Sequence, residues 1–393
     1  MVANAMIPQF RAWQRYTLNG SPGLERHLHS ICRQVKAGVE ALIPAGQLRG
    51  LLLGGGYGRG EGGVRRTAWG DRPYNDLEFY VFVGGPGALA EPRYGAGLDR
   101  LGQQLSPAAG MEVEFKVLTP DQLRKAPVSM FFYDLVSGHQ RLVGDDSLLL
   151  GGEHHGVAGA IPLHEATRLL MNRCAGLLFS AERLQREYFG EEDADFVGRN
   201  LAKLELALGD VVLVVAGQYH WSCCERFRRL PQLGRFLEEP WFGRVCRRHA
   251  AGVAFKLHPF CSQATRESLA ERHAKLSALA RHVWMWLENR RLGARFSLPA
   301  DYALSGVNKC PETSALRNRL IHARTFGPAA ILHPGAGRSP RERLLNSLSL
   351  LLWENRLPAD RRIRRRLWRD LRTRATDFTG RVAAFEQLWR CFN

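Results

Sequence analysis

Between Leu51 and Val64 the chain places seven glycines in fourteen residues, directly behind the apolar run Leu48–Leu53. A backbone with so little side-chain cover reads as a turn, where positive φ and close approach are possible. Leu48–Leu53 then reads as a buried strand feeding that turn. Tyr74–Val83 alternates and is rich in aromatics and valine, so it reads as a second strand, stopped by Gly84-Gly-Pro-Gly87. Residues two apart on a strand share a face, so Asp76 and Glu78 stand side by side while Leu77 and Phe79 face the core. Met111–Leu118 is the third strand, with Glu112 and Glu114 on one face. Thr119-Pro-Asp-Gln-Leu123 follows as a helix start, with Thr as cap and Pro in the first turn.

Two like charges held that close on a core strand repel each other, and a divalent cation is the usual reason to keep them. Three carboxylates from two adjacent strands would coordinate Mg²⁺ through hard oxygens and leave positions for substrate phosphates. Two such ions would clamp the attacking and leaving oxygens of an in-line displacement. The glycine run supplies backbone N–H groups that can converge on phosphate oxygens. Arg59, the one cation inside it, can meet a phosphate with its fork of donors. The alternative for Asp76 and Glu78 is a half-exposed strand with solvated carboxylates. Tyr57 and Glu61 are expected to shape the loop.

Gly54-Gly-Gly56, Arg59-Gly60, Asp76-Leu-Glu78 and the later strand acid together resemble the signature of the DNA polymerase beta superfamily of nucleotidyltransferases, in the flavour of its minimal and aminoglycoside-type members. The resemblance covers about residues 45 to 150. It implies an α+β fold, a small mixed sheet with flanking helices, followed by an all-α helical domain. It implies catalytic and metal-binding roles for Asp76, Glu78 and Glu114, Glu114 fitting the third acid better than Glu112. Nucleotide binding is implied for Gly55, Gly56 and Arg59, with Mg²⁺ or Mn²⁺ as cofactor and ATP or another NTP as substrate. Phe131–Asp145 resembles the end of that domain. Residues 171–177 and 200–213 look like the first appended helices of small-molecule members, where a lysine at the position of Lys203 faces the triphosphate. Two departures stand out. Gly56 replaces a common Ser, and the gap to Asp76 implies an insertion around Val64–Pro73. The formal dinucleotide pattern Gly58-x-Gly60-x-x-Gly63 fails because the acids lie at the start of their strand, and a Walker loop lacks its Gly-Lys-Ser/Thr.

Beyond Gly151 strand-like alternation gives way to helical periods: 162–187, 195–219, 266–289, 312–324, 339–355 and 359–388, with Ser339-Pro-Arg-Glu342 as a capping box. The expected division is 1–153 for the nucleotidyltransferase domain and 154–393 for a helical substrate-binding or accessory domain, with the acceptor lying between them. The chain's +17 formal charge favours polyanionic partners, triphosphates as much as RNA; seven of its 55 basic residues are lysine and the rest arginine. Arg361–Arg369 is the densest basic run. A solvated amphipathic helix explains it, and RNA binding is the sharper alternative. Arg317 and His322 match a ribonuclease-like R-x4-H motif. Glu153-His-His155 and His220–Cys224 have no partner pair at zinc spacing. The eight cysteines show no C-x-x-C, and Met1–Tyr16 lacks the apolar centre of a signal peptide, so a reduced, cytoplasmic protein without a membrane span is expected. The expected activity is transfer of a nucleoside monophosphate to a hydroxyl on a small molecule, a protein or an RNA end. The alternative is a non-catalytic nucleotide- or RNA-binding module of this type, of the toxin–antitoxin kind included.

Overall fold

The apolar run behind the glycines forms a strand, and what surrounds it follows from its two faces. The computed structural model describes residues 15–332, 335–354 and 360–392. Helix α1 (Pro22–Leu42) is capped by Ser21 and leads into β1 (Leu48–Leu53). The glycine run makes a single helical turn, α2 (Gly55–Gly58). The expected insertion is a hairpin of β2 (Val64–Thr67) and β3 (Gly70–Pro73). Then come β4 (Asp76–Val83), α3 (Gly87–Ala109), β5 (Glu112–Leu118), α4 (Pro120–Lys125), α5 (Met130–Ser137) and β6 (Gln140–Val143).

The main sheet has the order β5-β4-β1-β6. Strand β1 runs antiparallel to both neighbours, while β4 and β5 are parallel, so the sheet is mixed. A parallel pair cannot be joined by a tight turn, and α3 supplies the crossover. Leu51, Leu53, Leu77, Phe79, Val81 and Val113 point to one face, where they pack with Leu28, Ile31 and Val35 of α1 and Leu98 of α3. Leu52, Tyr80 and Phe82 point to the other, against Leu123, Leu135, Val136 and Leu148. The expected α+β class is thus the observed one.

The remaining helices are α6 (Leu163–Leu184), α7 (Glu191–Val215), α8 (Cys223–Arg229), α9 (Phe242–Leu257), α10 (Arg266–Leu292), α11 (Pro299–Leu304), α12 (Ala315–Phe326), α13 (Arg341–Trp353), α14 (Arg361–Leu371) and α15 (Phe378–Phe392). Two compact units divide the chain. One holds the described residues up to Glu165 together with Val212–Glu238 and His249–Phe260; the other holds Ala166–Val211, Glu239–Arg248 and the chain from Cys261 onward. In the second unit Trp284 packs edge-on to Tyr302 and Trp353. Beside them the buried Glu288 accepts from Thr167, Tyr302 and Arg291.

Several local expectations differ from what forms. Helix α3 extends well past Gly97–Leu105 at both ends and accommodates Pro92 and Pro107. The capping box at Ser339 does not form; the Glu342 carboxylate instead accepts from the buried backbone N–H of Lys309, a donor that needs a partner. The helix expected over 359–388 is two helices, because Arg372 adopts a left-handed conformation (φ 54°) that ends α14; Ala359 itself, like residues 1–14 of the signal-peptide reading, lies outside the described residues. Among the described residues no helix is long and apolar enough to cross a membrane.

Phe79, 1% exposed and stacked on Phe115 at 5.6 Å, links β4 to β5. Phe79→Ala should destabilise the protein by about 3–5 kcal/mol in chemical denaturation, while Phe236→Ala, at a position 85% exposed, should stay within roughly 0.5 kcal/mol.

Candidate active site at the glycine turn

Because β1 is antiparallel to β4, with Leu53 opposite Phe79, the chain leaves β1 beside the end where Asp76 and Glu78 enter. The Gly54 N–H continues the ladder by donating to the Glu78 carbonyl at 2.8 Å. Gly55 has φ +59°, and a Cβ placed on it would stand 3.2 Å from the carboxyl carbon of Glu78. The turn therefore touches that carboxylate with bare backbone, at a conformation side chains avoid.

In the parallel register Asp76 lies opposite Glu112 and Glu78 opposite Glu114. Four acids thus share one face of two neighbouring strands. Glu78 accepts from the Tyr80 hydroxyl at 2.7 Å, and Lys116 stands 5.9 Å from the Tyr80 ring. Burial raises the Glu114 carboxyl above the usual range, the charges of Asp76 and Glu112 raise it further, and Lys116 opposes them. Burial and like-charge crowding thus act in the same direction on Glu114, and Lys116 only partly offsets them.

The cations near the turn are arranged differently from expectation. Arg59 turns toward its own scaffold. It pairs with Asp134 of α5 at 3.2 Å and donates to the Trp221 carbonyl at 3.0 Å. Burial works most strongly against its charge, but the charges of Asp134, Tyr219 and Glu78 together outweigh burial and hold the guanidinium more firmly protonated. Lys256 of α9 takes the open place: a Cβ on Gly56 would lie 3.6 Å from its Nζ. Burial pushes the Lys256 ammonium below its ordinary value, and the positive charges of Arg59 and Arg226 add to this. Lys203, on α7, belongs to the second unit and lines a cavity there.

Tyr57 and Glu61 shape the loop. The Tyr57 hydroxyl donates to the Gly63 carbonyl and accepts from the Tyr74 N–H, both at 2.8 Å. Glu61 accepts from Ser222 and from the N–H groups of Cys223 (2.7 Å) and Cys224 (3.3 Å), fastening the loop to the start of α8. Burial opposes its charge, but these bonds prevail and hold it below the usual carboxylate range. Ligand-type atoms of Glu61, Cys223 and Cys224 lie within 4.8 Å of one another. The helix cap accounts for that cluster, and the neighbouring Lys256 and Arg226 charges disfavour a cation in it.

Neither Lys256 nor Glu61's partners were legible from the sequence, since both arise from segments some 160 to 200 residues downstream of the turn. The one available signal for Lys256 was the rarity of lysine in the chain. Elsewhere, His155 is buried, stacks on Phe132 and bonds the Leu123 carbonyl. His322 is buried against the Arg338 carbonyl, whereas Arg317 is exposed. On α14, Ile363, Leu367 and Leu371 are buried, and Arg366 and Arg369 pair with Asp370, as in a solvated amphipathic helix.

No protein-family model and no curated protein matches the chain. Among solved structures it is similar to a spectinomycin adenyltransferase from Enterococcus faecialis, crystallised with ATP and spectinomycin: TM-score 0.37, 13% identity, 64% of this chain and 98% of that one. Likeness at that level leaves the chemistry to be argued from this chain's own residues.

Two outcomes follow from the geometry. Gly55→Ala should destabilise the protein by about 1–2 kcal/mol for the left-handed backbone alone, read as a lowered denaturation midpoint. An acid harder to ionise in the folded chain than in the unfolded one withdraws stability as pH rises through its unfolded value, and the loss is complete above the folded one. Glu114→Gln should therefore melt higher than the native chain at pH 7, and the difference should vanish in thermal melts taken below the carboxylate range.

Proposed function

We propose that this protein is a metal-dependent nucleotidyltransferase that moves a nucleoside monophosphate from ATP or another NTP onto a hydroxyl acceptor. The observation that carries the reading is the β4–β5 register, which sets Asp76 and Glu78 against Glu112 and Glu114 beside a turn of bare backbone. The donor set fits a hard dication: all four groups offer carboxylate oxygens, and beside burial the charges of Asp76 and Glu112 raise the Glu114 carboxyl, a repulsion that a cation would relieve. Asp76, Glu78 and Glu114 would hold Mg²⁺ or Mn²⁺, which when bound supplies neutralisation of charge on the transferred phosphate.

The chain's own residues then divide the work. Gly55 and Gly56 let the triphosphate approach the backbone, and Lys256 faces it as a partly desolvated cation. This reading assigns to Lys256 the part that the resemblance gave to Lys203. Arg59 acts as a positioning residue that ties the turn to α5 through Asp134. Glu114 is also the candidate base that would draw the proton from the attacking hydroxyl. The helical domain, from about residue 154, would select the acceptor.

Incubation with labelled ATP and Mg²⁺ and candidate hydroxyl acceptors tests this. Pyrophosphate release should fall at least about a hundredfold in Asp76→Asn, a loss comparable to removing one strong transition-state contact. Nucleotide binding that persists with no Asp76-dependent release would establish a binding module instead. Comparing Lys256→Met with Lys203→Met identifies the triphosphate lysine: the Lys256 variant is expected to raise the KM for NTP about tenfold, equivalent to about 1.4 kcal/mol.

A further inference from the structure

We propose that the second unit carries a separate binding site for an organic anion, a phosphate or carboxylate borne on an apolar, ring-sized body. Helices α6, α7 and α15 enclose a cavity of about 650 Å³, within the range of small-molecule sites. Its wall combines Arg173 and Lys203 with an aromatic surface in which Phe179 meets Trp389 edge-on at 6.0 Å.

Several of the charges around it are already paired within the fold. Glu182 is held by Arg186 at 2.8 Å, and Glu386 is paired with Arg390 at 2.6 Å. Arg183 is committed to Asp193 at 2.9 Å and lies 3.8 Å over the Phe196 ring. Arg173 differs. Among the described residues it takes part in no hydrogen bond or ion pair. Burial pulls its pKa down, and the Asp210 charge only partly restores it. A guanidinium on a cavity wall whose charge the fold only partly offsets is a strong recognition element for an oxyanion. Asn172 and Trp389 also line the cavity, with Asn172 Oδ1 and Trp389 Nε1 themselves shielded and without a partner. None of these residues belongs to the glycine-turn site, and the inference does not rest on the proposed activity.

The test is isothermal titration calorimetry on the full chain with phenyl phosphate, benzoate, phenol and inorganic phosphate. Phenyl phosphate or benzoate should bind at least tenfold tighter than both phenol and inorganic phosphate, and which of the two wins names the anion. Arg173→Met should weaken that binding at least tenfold. Ala383→Phe, at an exposed position on the cavity rim, should block it while leaving the thermal melt unchanged, and Lys256→Met should leave it intact. The proposal is overturned if the aryl anions bind no tighter than inorganic phosphate, if both Arg173→Met and Ala383→Phe bind as the native chain does, or if Lys256→Met abolishes binding.

Discussion

The pairing of β4 with β5 is the constraint on which the rest of the sheet unit depends. It is the parallel contact of the main sheet, so it requires the long crossover α3. It also fixes four carboxylates on one face. Inward-facing residues of the same strands, Leu77, Phe79 and Val113, are buried against α1 and α3, so the register cannot slip by one residue without exchanging the acids for the core. The hydrophobic faces thus hold together an electrostatic arrangement that would otherwise separate.

The turn beside those acids is fixed by bonds that reach far along the chain. Arg59 is anchored to Asp134 and Trp221, and Glu61 to the first turn of α8. The first is an ion pair and the second a carboxylate held by neutral donors; in partly desolvated surroundings each charge would be left without compensation if its partner were removed. Glycine makes the turn possible and these anchors make it definite. The division explains why the residue that looked best suited to touch a phosphate is the one that holds the loop, leaving Lys256 near Gly56.

What could be read from the sequence was what local periodicity writes. The alternation of Tyr74–Val83 gave β4, the carboxylate pair and the inward placing of Leu77 and Phe79; Thr119-Pro-Asp-Gln gave the cap of α4, whose capping box forms with Gln122. Strand β6 escaped because four residues are too few to show a period, and the hairpin of β2 and β3 because its residues are mostly polar and half exposed. The placing of Lys256, the engagement of Arg59 and the loss of the Ser339 cap are products of tertiary contact. Each turns on which buried donor or acceptor lies nearest, and no window of sequence contains both partners.

The chain's basic excess is best understood through the partners of individual arginines. Many are neutralised by a carboxylate four residues away, as Arg186 is by Glu182 and Arg199 by Asp195. Exposed pairs of this kind contribute little to stability and say little about ligands. Others are structural, such as Arg291 on the buried Glu288 and Arg272 on Glu205. A formal charge of +17 therefore overstates the positive surface on offer, and it points to no particular partner. Information lies in the exceptions, where burial disfavours a cation and the nearby carboxylate charge only partly offsets it. Lys256 at the turn and Arg173 in the helical cavity share that property on different elements, and each identifies a place where an anion would complete the electrostatics that the fold leaves open.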